Sequence, residues 1–270
     1  MVATDKLFAG SIPEIYDRYL VPLIFEPYAA DLAVRLTAFR PQTVLETAAG
    51  TGVLTRAMAA ELPAHVRIVA TDLNQPMLDH ASARLGPDSR ISWHQADALA
   101  LPFADQSFDA VVCQFGVMFF PDRAQGFREA RRVLQPAGRF LFNAWDRISE
   151  NVFAEVVTEA LAGLFPDDPP RFMARTPHGY HDVERIRTDV EAAGFRRIAI
   201  ETRQVTSNAQ CARDVAIAYC QGTPLRNEIE ARNASSLQEA TEVAIQALTQ
   251  RFGSGPIAGR MAAHIVVADG

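Results

Sequence analysis

The chain has 270 residues and is 49% hydrophobic, which is enough apolar material for one large domain or for a core domain with a smaller cap. Its formal net charge is −6 and its basic residues are scattered, so the composition argues against nucleic acid as a partner. No apolar run approaches the roughly 20 residues that cross a bilayer, and residues 1–19 lack a signal-peptide core. We therefore expect a cytoplasmic protein without integral membrane association.

The lysine and cysteine content excludes several kinds of site. Lys6 is the only lysine in the sequence, which excludes a phosphate-binding Walker loop and a Schiff-base lysine. The three cysteines, Cys113, Cys211 and Cys220, are odd in number and lack the spacing of metal ligands. We therefore predict buried or half-buried thiols, no disulfide framework and no metal site.

From Thr43 onward, short apolar runs alternate with helical stretches, which is typical of parallel strands joined by crossover helices. We predict strands over residues 43–47, 66–72, 91–97, 108–114 and 138–145. The clearest helix begins after the N-cap residue Asp122 and ends at Leu134, because Pro136 and Gly138 prevent its continuation.

After Asp146 the pattern changes. We predict a helix over 151–164, a proline-rich break, a helix over 182–193, a strand over 198–205, a helix that Asn208 caps and that ends near Gly222, another helix that ends at Gly253, and a last strand over 264–268. These limits divide the chain into an N-terminal helical cap segment (1–40), a ligand-binding core (41–146), an inserted cap segment (147–181) and a C-terminal part that completes the sheet (182–270), with a helical insertion at about 208–253.

The strongest functional signal is Val-Leu-Glu-Thr-Ala-Ala-Gly-Thr-Gly, residues 44–52, where a strand meets a helix. Small residues let the backbone approach a ligand closely, and Glu46 at the end of the strand can offset a ligand cation. A dinucleotide site would instead need bare amides for a pyrophosphate, and the third glycine of its motif is missing, since Val53 and Thr55 occupy the places it could take. The alternative is a tight turn with no ligand.

Two further carboxylates follow the next two predicted strands, Asp72 after the second and Asp97 after the third. In a parallel sheet these strand ends lie on the edge where ligands bind. Asp72 could accept both hydroxyls of a ribose, and Asp97 could accept from the amino group of an adenine. Each alone is as readily a helix cap, but three carboxylates at three successive strand ends favour one shared ligand site.

These segments resemble the class I methyltransferases that use S-adenosylmethionine (SAM), in particular the small-molecule branch with the ubiquinone and menaquinone biosynthesis C-methyltransferases (the methyltransferase type 11 group). Residues 46–52 are similar to the family's first motif, residues 72–78 (Asp-Leu-Asn-Gln-Pro-Met-Leu) to its second and residues 95–98 (Gln-Ala-Asp-Ala) to its third. Residues 101–103 with 107–109, and residues 132–139, are also similar. Together these motifs cover residues 43–146, and their order and spacing make the resemblance specific.

The resemblance implies an α/β, Rossmann-like sheet of seven strands, mostly parallel with the last strand antiparallel, flanked by helices and carrying a helical cap from the N-terminus and two insertions. It also implies a SAM-dependent methyltransferase (EC 2.1.1 class) that releases S-adenosylhomocysteine. The implied cofactor-binding residues are Glu46, Ala48, Ala49, Gly50, Thr51, Gly52, Asp72, Leu73, Met77, Asp97, Ala98, Gln114, Phe115, Tyr16 and Tyr19.

The first motif departs from the family pattern at two positions. The family usually has glycine where this chain has Ala48, and aspartate where it has Glu46. Because alanine does not easily take a positive φ angle, we expect Ala48 to weaken or re-aim cofactor binding.

Methyl transfer needs few catalytic side chains, because the cofactor already carries the activated group. If the acceptor needs a base, the candidates are Asp146 and the histidines His178 and His181, although their segment could be a loop with solvated histidines. The apolar side chains after the fourth strand, Phe115, Met118, Phe119 and Phe120, favour a small hydrophobic or aromatic acceptor, with core packing as the alternative.

Two other functions stay open at this point. One is a nucleotide-dependent oxidoreductase on a similar sheet, and the other is a non-catalytic SAM-binding protein, for which Ala48 is the hint. The sequence also leaves a homodimer open.

Overall fold

The computed structural model describes Asp5 and residues 10–232 and 236–270. Within them the chain forms a seven-stranded sheet in the order β3-β2-β1-β4-β5-β7-β6. The strands are β1 (Thr43–Glu46), β2 (Arg67–Asp72), β3 (Ile91–Gln95), β4 (Phe108–Gln114), β5 (Leu134–Trp145), β6 (Arg196–Ala209) and β7 (Ile257–Asp269). Strand β1 pairs in parallel with β2 and β4, β2 pairs in parallel with β3, and β4 with β5.

The last strand, β7, runs against its neighbour β5. The amide of Asp146 donates to the carbonyl of Ala262 at 3.0 Å, and the amide of Gly270 donates to the carbonyl of Gly138 at 2.8 Å. Because later positions of β7 face earlier positions of β5, the two strands are antiparallel. The sheet therefore confirms the predicted fold class, with mostly parallel strands and an antiparallel last strand.

Helices flank the sheet: α1 (Ile12–Ile15), α2 (Glu26–Thr37), α3 (Val53–Glu61), α4 (Gln75–Leu85), α5 (Arg123–Val133), α6 (Val152–Leu164), α7 (Phe172–Arg175), α8 (Val183–Ala192), α9 (Ala212–Gln221), α10 (Leu225–Arg232) and α11 (Ser236–Phe252). A π-helix, Tyr16–Phe25, joins α1 to α2. Asp122 caps α5 as predicted, since its carboxylate accepts from the backbone N–H of Gln125 at 2.9 Å.

The prediction that Asn208 caps a helix is wrong. Strand β6 continues through Asn208 to Ala209, and Cys211 is the N-cap residue of α9. In the added part of this strand, the buried hydroxyl of Ser207 donates a hydrogen bond to the carbonyl of Leu23 at 2.7 Å, a residue far away in the sequence. The helical insertion therefore begins after the predicted residue 208.

Three strands begin earlier than predicted. Strand β6 begins at Arg196 rather than at 198. Strand β5 begins at Leu134, and an irregularity in its register with β4 accommodates Pro136, which cannot donate to a regular ladder. Strand β7 begins at Ile257 rather than at 264, and its first residues alternate between buried (Ile257, Gly259, Met261) and exposed. Gly259 lies there against the ring of Phe153, so close that an added Cβ would be 2.9 Å from the Cε1 atom.

The chain divides into two compact units, which are described separately. The helical unit comprises Met1–Phe25, Trp145–Tyr180 and Gln204–Ala262, and in it α11 packs against α6 and α9. The sheet unit comprises Glu26–Ala144, His181–Arg203 and Ala263–Gly270, and in it α2 packs against α3. The domain limits given under "Sequence analysis" stay a prediction.

The described residues contain no helix with the length and apolar character needed to span a membrane. They also contain no group of three or more histidine, cysteine or acidic side chains arranged to hold a metal ion. Cys113 and Cys220 are buried and Cys211 is half-buried, as predicted.

Candidate functional site

The loop between β1 and α3 has an unusual backbone conformation. It is stabilised by hydrogen bonds with the two neighbouring strands, β2 and β4. Ala48, Gly50 and Gly52 have φ angles of 54°, 55° and 76°, all in the left-handed region. The amide of Thr47 donates to the carbonyl of Val112 on β4, and the amide of Ala49 donates to the carbonyl of Thr71 on β2, each at 2.9 Å. Ala48 therefore takes the conformation that the family's glycine would take easily, at a cost of about 1 kcal/mol or more.

Close packing surrounds this loop on two sides. A Cβ on Gly52 would lie 3.0 Å from the Cβ of Ala81 on α4. A Cβ on Gly116, just after β4, would lie 2.5 Å from the Cβ of Ala48 and 2.6 Å from the Sγ of Cys113. The methyl group of Ala48 thus fits because position 116 is glycine.

Glu46, at the end of β1, is 1% exposed. Its carboxyl group accepts from the hydroxyl of Thr55 at 2.5 Å, and its backbone carbonyl accepts from the hydroxyl of Thr71 at 2.8 Å. Burial raises the pKa of Glu46 to about 8, the negative charge of Asp72 adds to that rise, and the Thr55 hydrogen bond opposes it. The group is therefore mainly protonated at neutral pH until a cation comes near.

Asp72, at the end of β2, connects its strand to the loop after β1. One carboxylate oxygen accepts from the amide of Gly50 at 2.9 Å, and the other accepts from the amide of Asn74 at 2.8 Å. Burial raises the pKa of Asp72, while these two hydrogen bonds lower it. The oxygen that accepts from the amide of Asn74 also accepts from the side-chain nitrogen of Asn74, at 3.3 Å.

Asp97 lies past the end of β3 at the same edge of the sheet, because Asp72 is in register with Gln95. It is exposed, and its carboxylate accepts from the amide of Leu99 at 2.9 Å. Its neighbour Ala98 is half-buried, and Leu73, after β2, is 44% exposed despite being apolar. Glu46 and Asp72 are thus close enough for the charge of Asp72 to raise the pKa of Glu46. Asp97, in contrast, is exposed to solvent.

Gln114 and Phe115 end β4. Phe115 has a φ angle of 50°, and its amide donates to the side-chain carbonyl of Asn143 on β5 at 2.9 Å. Its ring packs edge-on against Tyr28, with the centroids 5.3 Å apart. Two non-glycine residues with left-handed backbone, Ala48 and Phe115, therefore end neighbouring strands, and such strain is frequent at functional sites.

The apolar residues after β4 are mostly core residues. Met118 and Phe120 are buried, and Phe119 is half-buried. Phe120 packs so closely on α5 that a Cβ on Gly126 would lie 2.6 Å from its ring. For Phe120 the alternative of core packing is therefore correct, while Phe119 keeps part of its surface exposed.

Of the remaining predicted site residues, Tyr16, Tyr19, Asp146 and His178 belong to the helical unit and His181 belongs to the sheet unit. Tyr16 stacks on Phe25 with centroids 5.1 Å apart, and the guanidinium of Arg18 lies 5.1 Å from the ring centroid of Tyr19. His178 is only 5% exposed, so the expectation of solvated histidines is wrong for it, whereas His181 is half-buried in the sheet unit.

Sequence reasoning did not select Asn143, which is fully buried on β5. Its side-chain oxygen fixes the amide of Phe115, and its side-chain nitrogen has no hydrogen-bond partner in the part of the chain that the structure describes. The signal was present, because an asparagine inside the apolar run Leu-Phe-Asn-Ala-Trp is a polar group that needs a partner.

Comparison with known proteins gives the family of the chain. A family model described as a methyltransferase domain matches residues 44–138. Demethylmenaquinone methyltransferase of Deinococcus radiodurans is 30% identical over 211 residues, which cover 72% of this chain and 85% of that protein. The chain belongs to the SAM-dependent methyltransferases. This assignment confirms the predicted enzyme class and cofactor and replaces the oxidoreductase alternative.

Other similar proteins agree with this assignment. The methyltransferase is 31% identical over 174 residues to the ubiquinone/menaquinone biosynthesis C-methyltransferase UbiE of Klebsiella pneumoniae subsp. pneumoniae, covering 59% of this chain and 68% of that protein. It shares its fold with phosphoethanolamine N-methyltransferase 2 of Haemonchus contortus, solved with phosphomonomethylethanolamine and S-adenosylhomocysteine. That likeness has a TM-score of 0.53 at 16% identity and covers 97% of this chain and 61% of the other.

Proposed function

We propose that this methyltransferase transfers a methyl group from SAM to a small, hydrophobic or aromatic metabolite. The observation that carries the proposal is the hydrogen bond from the amide of Gly50 to Asp72, which joins the loop after β1 to the carboxylate after β2 in one crevice. Two observations favour an aromatic acceptor. Phe119 is only half-buried, and a relative of this methyltransferase is named for a quinone, demethylmenaquinone.

The residues around this loop fit SAM. The hydroxyl of Thr51 is 1% exposed and has no hydrogen-bond partner among the described residues, a costly state that the cofactor's carboxylate would relieve. In the direction of a Cβ on Gly50, no described atom lies within 4 Å. A buried hydroxyl without a partner, beside open space, is what a bound polar ligand would use.

We assign the individual roles as follows. Glu46 and Thr51 would bind the amino and carboxylate groups of the methionine portion, with Ala48, Ala49, Gly50 and Gly52 in close backbone approach. Asp72 would bind the ribose hydroxyls. The adenine would lie against Leu73, Met77, Asp97 and Ala98, and Gln114 and Phe115 would lie near the sulfonium. A contact of Tyr16 and Tyr19 with the cofactor stays a prediction.

When bound, SAM supplies a methyl group that is already activated for in-line displacement. The chain's own residues then have to orient the acceptor and exclude water. The strained backbone at Ala48 and Phe115 would fix that orientation, because hydrogen bonds to neighbouring strands hold Phe115 and the residues on either side of Ala48. A homodimer stays a prediction, which sedimentation velocity would test.

Methyl-labelled SAM with two classes of acceptor tests the proposal. We expect label in hydroxylated benzene and naphthalene compounds, including reduced demethylmenaquinone, and none in phosphoethanolamine, the type of amine that the Haemonchus contortus enzyme's name indicates. An Asp72→Ala variant serves as the control that should lose SAM binding in calorimetry. Label in the amine alone, or in no aromatic compound, would contradict the proposal.

A further inference from the structure

Glu46 and Asp72 are two carboxyl groups at the ends of neighbouring strands of the sheet unit, and both are shielded from water. Glu46 is 1% exposed and Asp72 is 7% exposed. Glu46 on β1 is in register with Ala70 on β2, two residues before Asp72. A buried carboxylate is costly unless hydrogen bonds or an opposite charge compensate it, and a second negative charge nearby raises that cost. The groups around each carboxyl therefore decide which of the two keeps a proton.

The hydrogen bonds at Asp72 favour its ionised form. Its carboxylate accepts from the amide of Gly50 at 2.9 Å, and from the amide and the side-chain nitrogen of Asn74 at 2.8 Å and 3.3 Å. These three N–H groups only donate, so each hydrogen bond is made to a carboxylate oxygen that carries no proton. Asp72 is therefore the member of the pair that is better suited to carry the negative charge.

Glu46 has much less compensation. In the part of the chain that the structure describes, its carboxyl group accepts one hydrogen bond, from the hydroxyl of Thr55 at 2.5 Å. A hydroxyl both donates and accepts, so Thr55 can serve the protonated form as well as the ionised one. Burial raises the pKa of Glu46 to about 8, and the charge of Asp72 adds to that rise. The free protein therefore keeps a proton on Glu46 at neutral pH.

The other ionisable groups around Glu46 come from α3 and β4. The positive charge of Arg56, on α3, lowers the pKa of Glu46, but this effect is smaller than those of burial, Thr55 and Asp72. The guanidinium of Arg56 also donates to the carbonyl of Thr51 at 2.6 Å. On β4, burial raises the pKa of Cys113 to about 12, so its thiol stays neutral. These groups leave Glu46 protonated, and an added cation would reverse this.

We propose that Glu46 exchanges its proton for the ammonium group of SAM, so that cofactor binding releases a proton and the site selects adenosine derivatives that carry an ammonium group. This rests on the proposed function, which assigns the methionine portion of SAM to the loop after β1. In the exchange, the O–H bond of the Glu46 carboxyl group breaks, its electron pair stays on oxygen, and the proton passes to the buffer. The carboxylate then pairs with the ammonium group, and its low exposure strengthens their attraction.

The exchange makes the affinity for the cofactor depend on pH. Below the pKa of free Glu46, each binding event has to displace a proton, so the affinity should rise about 10-fold between about pH 6 and about pH 7. Above the pKa of about 8 the proton has already left, and the rise should level off. An ammonium group bound by a permanently ionised carboxylate would show no such rise.

S-adenosylhomocysteine is the probe, because it has the ammonium and carboxylate groups of SAM and no methyl group to transfer. Titration calorimetry at about pH 7, in buffers of different ionisation enthalpy, measures the protons released, and we expect about one per bound molecule. Methylthioadenosine, which lacks the amino-acid portion, should bind without releasing a proton. Its affinity should be the same at about pH 6 and at about pH 7.

Three variants test whether the proton comes from Glu46. Glu46→Gln keeps an oxygen for the Thr55 hydroxyl but has no proton to release, so its affinity for S-adenosylhomocysteine should not depend on pH. Glu61→Gln, at the exposed glutamate that ends α3, is the matched control and should release the proton as the unaltered protein does. Thr55→Val removes a hydrogen bond that lowers the pKa of Glu46, so proton release should continue to a higher pH.

The results separate the proton exchange from the proposed function. S-adenosylhomocysteine that binds without releasing a proton, or that still releases one from Glu46→Gln, would overturn the exchange alone. If neither S-adenosylhomocysteine nor methylthioadenosine binds, the proposed cofactor site is wrong, and the exchange is wrong with it.

Discussion

Replacing Glu46 by glutamine is expected to remove a pH dependence from the stability of the methyltransferase. The carboxyl group is 1% exposed and receives a hydrogen bond from Thr55. Glutamine keeps the oxygen that accepts this hydrogen bond and removes the charge. The substitution therefore isolates the cost of ionising a buried group.

The size and sign of the effect follow from the pKa of Glu46. Burial raises it from 4.5 to about 8, which corresponds to roughly 5 kcal/mol. Between these two values the unfolded chain has lost the proton and the folded protein has kept it. The stabilisation is therefore complete below the unfolded pKa and is lost as the pH rises through the folded value. Asp72 contributes in the same direction, because burial raises its pKa also.

Urea unfolding from about pH 5 to about pH 9 would measure this dependence. The free energy of unfolding of the unaltered protein should fall across this range, and that of Glu46→Gln should fall by several kcal/mol less. Glu61→Gln, at an exposed glutamate that ends α3, is the matched control and should behave as the unaltered protein. Parallel curves for the unaltered protein and Glu46→Gln would refute the reasoning.

Three further predictions follow from distances in the site. Asp72→Asn removes a buried negative charge that the proposed ribose hydroxyls would use, so calorimetry should show SAM binding weaker by about 10-fold or more. Gly116→Ala places a Cβ 2.5 Å from the Cβ of Ala48 and 2.6 Å from the Sγ of Cys113, so urea unfolding should show a loss of about 1–3 kcal/mol. Adding Ala48→Gly should recover part of this loss, and no recovery would show that the two positions are independent. Gly179→Ala should destabilise by a similar amount, because its Cβ would lie 2.0 Å from the carbonyl oxygen of Arg175; urea unfolding without a loss would contradict this prediction.

Local signals in the sequence were sufficient for most of the sheet. Strand β4 has the bounds predicted from its apolar run, and α5 begins after Asp122 as its capping pattern predicts. The first five strands follow from the alternation of apolar runs with helical stretches, whereas their order in the sheet is seen only in the structure. The errors are at Asn208 and at the early part of β7, where the residues are polar or small and the strand is accompanied by contacts with Leu23 and Phe153.

The sequence by itself determined that Glu46, Asp72 and Asp97 follow three successive strands, because strand ends and turns are encoded by residues that are neighbours in the chain. Only the tertiary structure decided that His178 is buried and oriented by Asp146, 32 residues away. The link from Asn151 to Ala262 spans 111 residues. Burial and hydrogen-bond partners of this kind depend on segments that meet only when the chain folds, so no local pattern contains them.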